Sequence, residues 1–211
     1  SDAEIKELFV TQRGMKEWGD WLAANKEIST FLVSDEVMDA VSDLPTPQGI
    51  LAVMALTAEG TPDFSGGWLL LDNVQDPGNV GTMIRTADAF DMAGVLLGKG
   101  TADIYSTKVL RSMQGSNYHL PVLQKDLTEV IPLMKDKGFT VYGTELNEEA
   151  HALDKVEKSD NFAIIMGNEG QGVSQEILSL TDQNVYIPMK GNAESLNVGV
   201  AAGIVLYHFS L

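Results

Sequence analysis

The 211-residue chain has 44% hydrophobic residues, no cysteine and a formal net charge of -16. Disulfides and thiolate metal sites are thereby excluded, which fits a reducing cytoplasm. No apolar run approaches the roughly 20 residues that span a bilayer. A protein living by non-specific phosphate contact should be basic, so the charge argues against a general nucleic-acid coat; it leaves room for a local basic site.

Residues 1–60 read as a small α/β unit. EIKELFV predicts a strand, opening almost at the first residue, and leads us to expect that this first domain lacks an N-terminal portion. KEWGDWLAANK predicts one helix, with Trp18, Trp21 and Leu22 at i, i+3, i+4 on its apolar face. STFLV predicts a strand, Ser34 caps a helix over DEVMDAV, and GILAVMAL predicts a further strand. The Gly-, Pro-, Ser- and Thr-bearing stretch Thr57–Gly67 is the best linker in the chain.

Beyond Gly67, strand and helix alternate. WLLLDNV precedes VGTMIRTADAF, GVLLG precedes YSTKVLRSMQ, and LPVLQ precedes LTEVIPLMKDK. FTVYGTEL follows, then FAIIMG before SQEILSL, and NVYIPM before SLNVGVAAGIVLYHF. Short continuous apolar strands between helices predict a mostly parallel sheet covered on both faces. Ligands in such sheets bind beyond the carboxyl ends of the strands.

Three stretches could carry chemistry. In LDNVQDPGNVGTMIRTADAF, Asp76-Pro77-Gly78-Asn79 predicts a tight turn and Asn79 the helix cap. Met83, Ile84, Ala87 and Phe90 then form a buried face, and Arg85 lies off it, about 9 Å along the axis from Asn79. A helical side chain leans towards the N-terminus, so Arg85 could join the free amides there in an anion site. The alternative is an arginine paired with Asp88 or Asp91 on a solvated face. In FAIIMGNEGQGVSQEIL, glycines 167, 170 and 172 enclose Asn168 and Glu169 after a buried strand. That spacing is neither G-x-G-x-x-G nor a P-loop, which disfavours a dinucleotide-dependent oxidoreductase. The glycines permit close backbone approach to a ligand; a plain turn with a solvated glutamate is the alternative. In VYIPMKGNAESLNVGVAAGIVLYHF the last helix is apolar almost all round, which predicts burial, between subunits if not within one. Its polar opening, Ser195 and Asn197, either caps it through Ser195 or faces a ligand. Lys108 and Arg111 are among the few cations. His119, His151 and His208 share no ligand spacing, so no metal is assigned.

Together these stretches resemble the three motifs of the SpoU (TrmH-like) RNA ribose 2′-O-methyltransferases. DPGNVGTMIRTADAF resembles the first motif, MGNEGQGVS the second and IPMKGNAESLNVGVAAGI the third, in order and correctly separated over residues 64–211. Residues 1–60, with VSDEVMDAVSDLPTPQGILAV, are similar to the latter part of the family's ribosomal-protein-like substrate-binding domain. The resemblance implies an α/β fold with a C-terminal trefoil knot, against ordinary topology rules, a homodimer, and S-adenosylmethionine (SAM) held in the knot. It implies functional roles for Asn79, Arg85, Glu169, Ser195 and Asn197. It also implies SAM contacts from Thr144, Gly167, Asn168, Gly172, Ile187, Met189, Ser195 and Leu196. RNA would meet Arg85, Lys108 and Arg111, drawn from both subunits. The chain departs from the family at Gly199 (Ser), Asp91 (Gly), Thr107 (Pro) and Met113 (a small residue).

The implied reaction transfers a methyl group to a ribose 2′-hydroxyl of structured RNA, ribosomal RNA being preferred and transfer RNA the alternative. A second alternative is the same scaffold kept as a non-catalytic RNA binder. Arg85 as general base would need its pKa lowered by about five units, roughly 7 kcal/mol. A clamp for phosphate and developing alkoxide, worth about 3–4 kcal/mol, is the easier role.

Overall fold

The computed structural model describes residues 4–56, 62 and 64–211. Most of the expected linker Thr57–Gly67 lies outside them. The chain divides into two compact units, residues 1–60 and 61–211.

The first unit has a three-stranded sheet of order β2-β1-β3. It runs β1 (Ile5–Val10), α1 (Gln12–Glu17), α2 (Gly19–Ala24), β2 (Ser29–Leu32), α3 (Asp35–Val41) and β3 (Ile50–Met54). β1 pairs parallel with β2 and antiparallel with β3. The single helix expected over residues 16–26 is two short ones, with Trp18 closing the first and preceding the second. Gly19 stands at the break, where the lack of a side chain weakens a continuous helix by about 1 kcal/mol. Trp18 and Trp21 are each 40% exposed, so the expected apolar face is only partly covered. Ser34 does cap α3, accepting from the Val37 N–H.

The second unit contains a seven-stranded sheet of order β6-β5-β4-β9-β7-β10-β8. Its strands are β4 (Gly67–Leu71), β5 (Gly94–Leu97), β6 (Val122–Gln124), β7 (Thr140–Thr144), β8 (His151–Ala152), β9 (Phe162–Met166) and β10 (Gln183–Tyr186). Its helices are α4 (Pro77–Ala89), α5 (Thr107–Met113), α6 (Leu127–Asp136), α7 (Gln175–Leu178) and α8 (Val198–Ser210). Every pairing in this sheet is parallel. The two-residue β8 was not foreseen.

Strand alternation divides the core in two. Leu69 and Leu71 of β4, with Ile164 and Met166 of β9, pack under α4, α5 and α8. Trp68, Leu70, Ala163 and Ile165 point to the other face, under α6 and α7. Successive residues of a strand face opposite sides, so these continuous apolar runs feed both layers. Each buried leucine contributes about 1.5–3 kcal/mol; Leu70→Asp would place an unpaired charge in the second core. On α4, a Cβ at Gly81 would collide with Ser112 and the Val109 carbonyl, so glycine lets α5 lie against it.

The last helix is not buried all round. Ala202, Val205, Leu206 and Phe209 face the core, whereas Val200, Ile204 and Tyr207 are 53%, 40% and 54% exposed. Among the described residues, its second apolar face stands exposed. Among the described residues, no helix is long and apolar enough to cross a membrane.

Candidate functional site

The opening of α4 differs from expectation, and the difference builds the site. Pro77 is the first helical residue and Asp76 the cap; its Oδ1 accepts from the Gly78 and Asn79 N–H groups at 2.7 and 3.0 Å. Proline suits this position because its missing N–H is not needed there and its φ is already helical. The Asp-Pro pair was the available signal. Two amides expected to be free for an anion beside Arg85 are therefore taken by a carboxylate.

Relieved of capping, the Asn79 side chain joins the three motifs. Its Nδ2 donates to Glu169 Oε1 at 3.0 Å, and its Oδ1 accepts from Asn197 Nδ2 at 3.0 Å. Asn197, not Ser195, caps α8: its Oδ1 accepts from the Gly199 and Val200 N–H groups at 2.9 and 3.3 Å. Each amide thus has its oxygen and nitrogen assigned by partners of opposite kind. Glu169 also accepts from the main-chain N–H groups of Asp76 and Gln75, at 3.0 and 3.2 Å. Burial alone would raise the Glu169 pKa; donation by Asn79 and the Asp76 and Gln75 amides outweighs it and holds the group below its ordinary value.

The loop carrying Glu169 is fixed by its neighbour. Asn168 Nδ2 donates to the Asn73 carbonyl at 2.9 Å, and its Oδ1 accepts from the Gly170 and Gln171 N–H groups. Asn168 and Gly172 exchange main-chain bonds across the loop. A Cβ at Gly167 would overlap the Gly172 and Val173 backbone, so only glycine allows the chain to fold back there.

Beside this loop lies a cleft of about 380 Å³, within the range of small-molecule sites. Thr144, at the end of β7, and Gly167, Asn168 and Gly172, following β9, form one side. Ile187 and Met189, following β10, and Ser195 and Leu196, preceding α8, form the other. All eight residues expected to hold SAM therefore share one cavity, at the carboxyl ends of three neighbouring strands. The Thr144 hydroxyl donates to the Ile165 carbonyl at 2.8 Å. Sequence reasoning missed Glu145, Leu146 and Glu194, which also line the cleft. They fit SAM: Leu146, Ile187, Met189 and Leu196 offer apolar faces to a purine. Glu145, Glu169 and Glu194 favour a sulfonium, and no lysine or arginine is among the lining residues.

Arg85 is exposed on α4 and does not line the cleft. Asp88, one of its two expected partners, is engaged by His119 Nδ1 at 2.8 Å. Among the described residues Arg85 is hydrogen-bonded to neither Asp88 nor Asp91. Lys108 Nζ lies 3.0 Å from Asp76 Oδ2. The Lys108 ammonium leads the causes that lower the Asp76 pKa, with the Asn79 and Gly78 amides adding to it. Lys108 and Arg111 share an open hollow of about 670 Å³ on α5 with Thr107, Ser112 and Gln114.

The geometry agrees with known proteins. Residues 68–207 match the model of the SpoU rRNA Methylase family. The 23S rRNA (guanosine(2553)-2′-O)-methyltransferase RlmP of Bacillus subtilis (strain 168) is 46% identical over 181 residues, 86% of this chain and 72% of its own. The SpoU methyltransferase AviRb of Streptomyces viridochromogenes, solved with its cofactor AdoMet, superposes with a TM-score of 0.88 at 26% identity, over 99% of this chain and 83% of its own. A TrmH-family RNA methyltransferase structure from Porphyromonas gingivalis gives 0.87 at 30% identity, with the same coverage. With matching motifs, matching fold and a cleft where the motifs meet, the chain belongs to the SpoU rRNA methylase family.

Proposed function

We propose that the protein transfers a methyl group from SAM to a ribose 2′-hydroxyl of 23S rRNA. The observation that carries this reading is the Glu169–Asn79–Asn197 chain of hydrogen bonds, which fixes all three motifs beside a cleft of the right size and charge. The ribosomal target is supported by the identity to RlmP.

When bound, SAM supplies a methyl group already activated by its sulfonium, so the protein's contribution is mainly orientation. Leu146, Ile187, Met189 and Leu196 bind and shield the apolar part of the cofactor, and Ser195 contacts it from the α8 side. Glu169, Asn79 and Asn197 order the helix starts beside it. Arg85 clamps an RNA phosphate and the 2′-oxygen as charge develops there. Arg111 and Lys108 hold the neighbouring backbone, which confines RNA affinity on an acidic protein to a small basic site.

Arg85 reaches a cleft through a homodimer. The exposed Val200, Ile204 and Tyr207 form the stripe that a second copy would cover. α4 borders it: Thr82 abuts Gly199, and the Phe90 and Tyr207 rings are 5.8 Å apart. Arg85, one turn after Thr82, then faces the partner copy's cleft. The trefoil knot belongs to the same proposal, supported by β10 pairing between β7 and β8 before α8 returns to pack on α4 and β9. Residues 1–60 would bind structured RNA, and the cytoplasm, where ribosomes assemble, is the place of action.

Calorimetric titration with SAM, followed by tritiated-methyl transfer to a 23S rRNA transcript, tests the reading. Binding in the micromolar range with transfer to one ribose is expected. Folded protein that gives no heat with SAM would overturn it.

A further inference from the structure

We infer that Lys108 is a positioning residue for methyl transfer, setting Asn79 through Asp76; this rests on the function proposed above. The Asp76 carboxylate has two jobs on two oxygens. Oδ1 accepts from the Gly78 and Asn79 amides, while Oδ2 accepts from Lys108 Nζ at 3.0 Å. The Asp76 N–H in turn donates to Glu169 Oε1, the same atom that receives Asn79 Nδ2. Lys108 therefore ties α5 to the one residue that fixes both the backbone of Asn79 and the position of its side-chain acceptor.

The lysine stem also lies close to the helix start. A Cβ on Gly78 would stand 3.5 Å from Lys108 Cε and 2.8 Å from Asp76 Oδ1. A side chain at Gly78 would crowd the Asp76 carboxylate and meet the Lys108 stem at ordinary contact distance, so the lysine stem already packs beside the helix start. One turn further, the missing side chain of Gly81 lets Ser112 and the Val109 carbonyl lie against α4. The Lys108 ammonium, with the Asn79 and Gly78 amides, holds the Asp76 carboxyl below its ordinary value.

Lys108 and Asp76 side chains are 62% and 47% exposed. An exposed pair of this kind adds little stability. Its effect belongs in the rate, because a small displacement of an aligning group costs far more in reaction than in folding.

Single-turnover kinetics on wild type, Lys108→Met, Asp76→Asn and the double variant test this. Asparagine remains a good helix cap, so Asp76→Asn removes the charge and spares the helix. Each single variant should lower the rate at saturating RNA about tenfold, with SAM affinity within about twofold of wild type. The double variant should be no slower than the slower single variant, the mark of residues acting as a unit. Lys108→Arg should restore most of the rate. A rise in KM for RNA with an unchanged saturated rate, or losses that multiply in the double variant, would overturn the inference and leave Lys108 as a phosphate contact only. Wild-type transfer in the same assay tests the proposed function separately. Should wild type transfer nothing, coupling is read from the Asn79 side-chain amide resonances: unmoved in Lys108→Met, they too overturn it.

Discussion

Asn79 Nδ2 donates to Glu169 Oε1 across 90 residues of sequence, at 3.0 Å. The carboxylate receives that bond together with two main-chain bonds, and Asn79 passes the constraint to Asn197. The start of α4, the loop after β9 and the start of α8 are thereby held as one unit. Catalysis by orientation requires such a unit.

Glu169→Gln replaces one acceptor oxygen with a donor that faces other donors. The rate of methyl transfer should fall between about tenfold and a hundredfold, and urea unfolding should show a loss of about 1–2 kcal/mol. Asn79→Ala should produce a similar rate loss, and the two together little more than either.

Acid should loosen this unit. The Glu169 pKa is depressed in the folded protein, so the unfolded chain binds protons more readily. Its stabilising contribution is complete above the unfolded value of about 4.3 and is lost as pH falls through the lower folded value. Asp76 behaves likewise from about 3.9 downward. The thermal midpoint of wild type should therefore drop more steeply between pH 5 and pH 3 than that of Glu169→Gln. Parallel curves would remove Glu169 from the acid response.

Arg85 can be changed without harm to the fold, because it is exposed. Arg85→Lys should leave stability within about 0.5 kcal/mol and SAM binding intact, yet cost about a hundredfold or more in transfer. Lysine keeps the charge but lacks the planar fork. A pH–rate profile of unchanged shape in this variant would support the clamp; loss of a basic limb would support the base.

The dimer proposal gives its own prediction. Ile204→Asp, on the uncovered face of α8, should yield a folded monomer by analytical ultracentrifugation. That monomer should transfer no methyl group.

α4 ends with Asp91 in the left-handed region, at φ 54°. The Met92 N–H bonds the Ala87 carbonyl and the Asp91 N–H the Asp88 carbonyl, the Schellman pattern in which glycine is preferred. Asp91→Gly should stabilise the protein by about 1 kcal/mol, read from its urea midpoint.

The sequence and the structure agree where local signals are strong. WLLL and FAIIM are apolar without interruption because both faces of β4 and β9 are buried, and that was readable in advance. The adjacency of β9 to β4 was not, since 90 residues and four strands intervene and pairing of distant strands leaves no local trace. The cap of α4 was misread: Asn79 is a good cap residue by type, but Asp76 occupies the position, and the displaced Asn79 became a connector. At α8 the two readings left open for Ser195 divide, Asn197 taking the cap and Ser195 lining the cleft. The residues of the cleft were legible through resemblance to the family's motifs and not through spacing. Glu145 and Leu146 close a stretch read as strand, whereas β7 ends at Thr144, and Glu194 lies within the third motif without a role assigned to it. The Lys108–Asp76 pair joins different helices, so no periodicity within either could announce it.

The proposed reaction aligns one ribose oxygen with the methyl donor in the cleft under the hand of Arg85. Incubation of the purified protein with SAM and 23S rRNA, followed by mass spectrometry of the digested nucleosides, tests it directly. One 2′-O-methylated nucleoside should appear with wild type and vanish with Arg85→Ala. A methyl group on a base, or undiminished ribose methylation by Arg85→Ala, would contradict it.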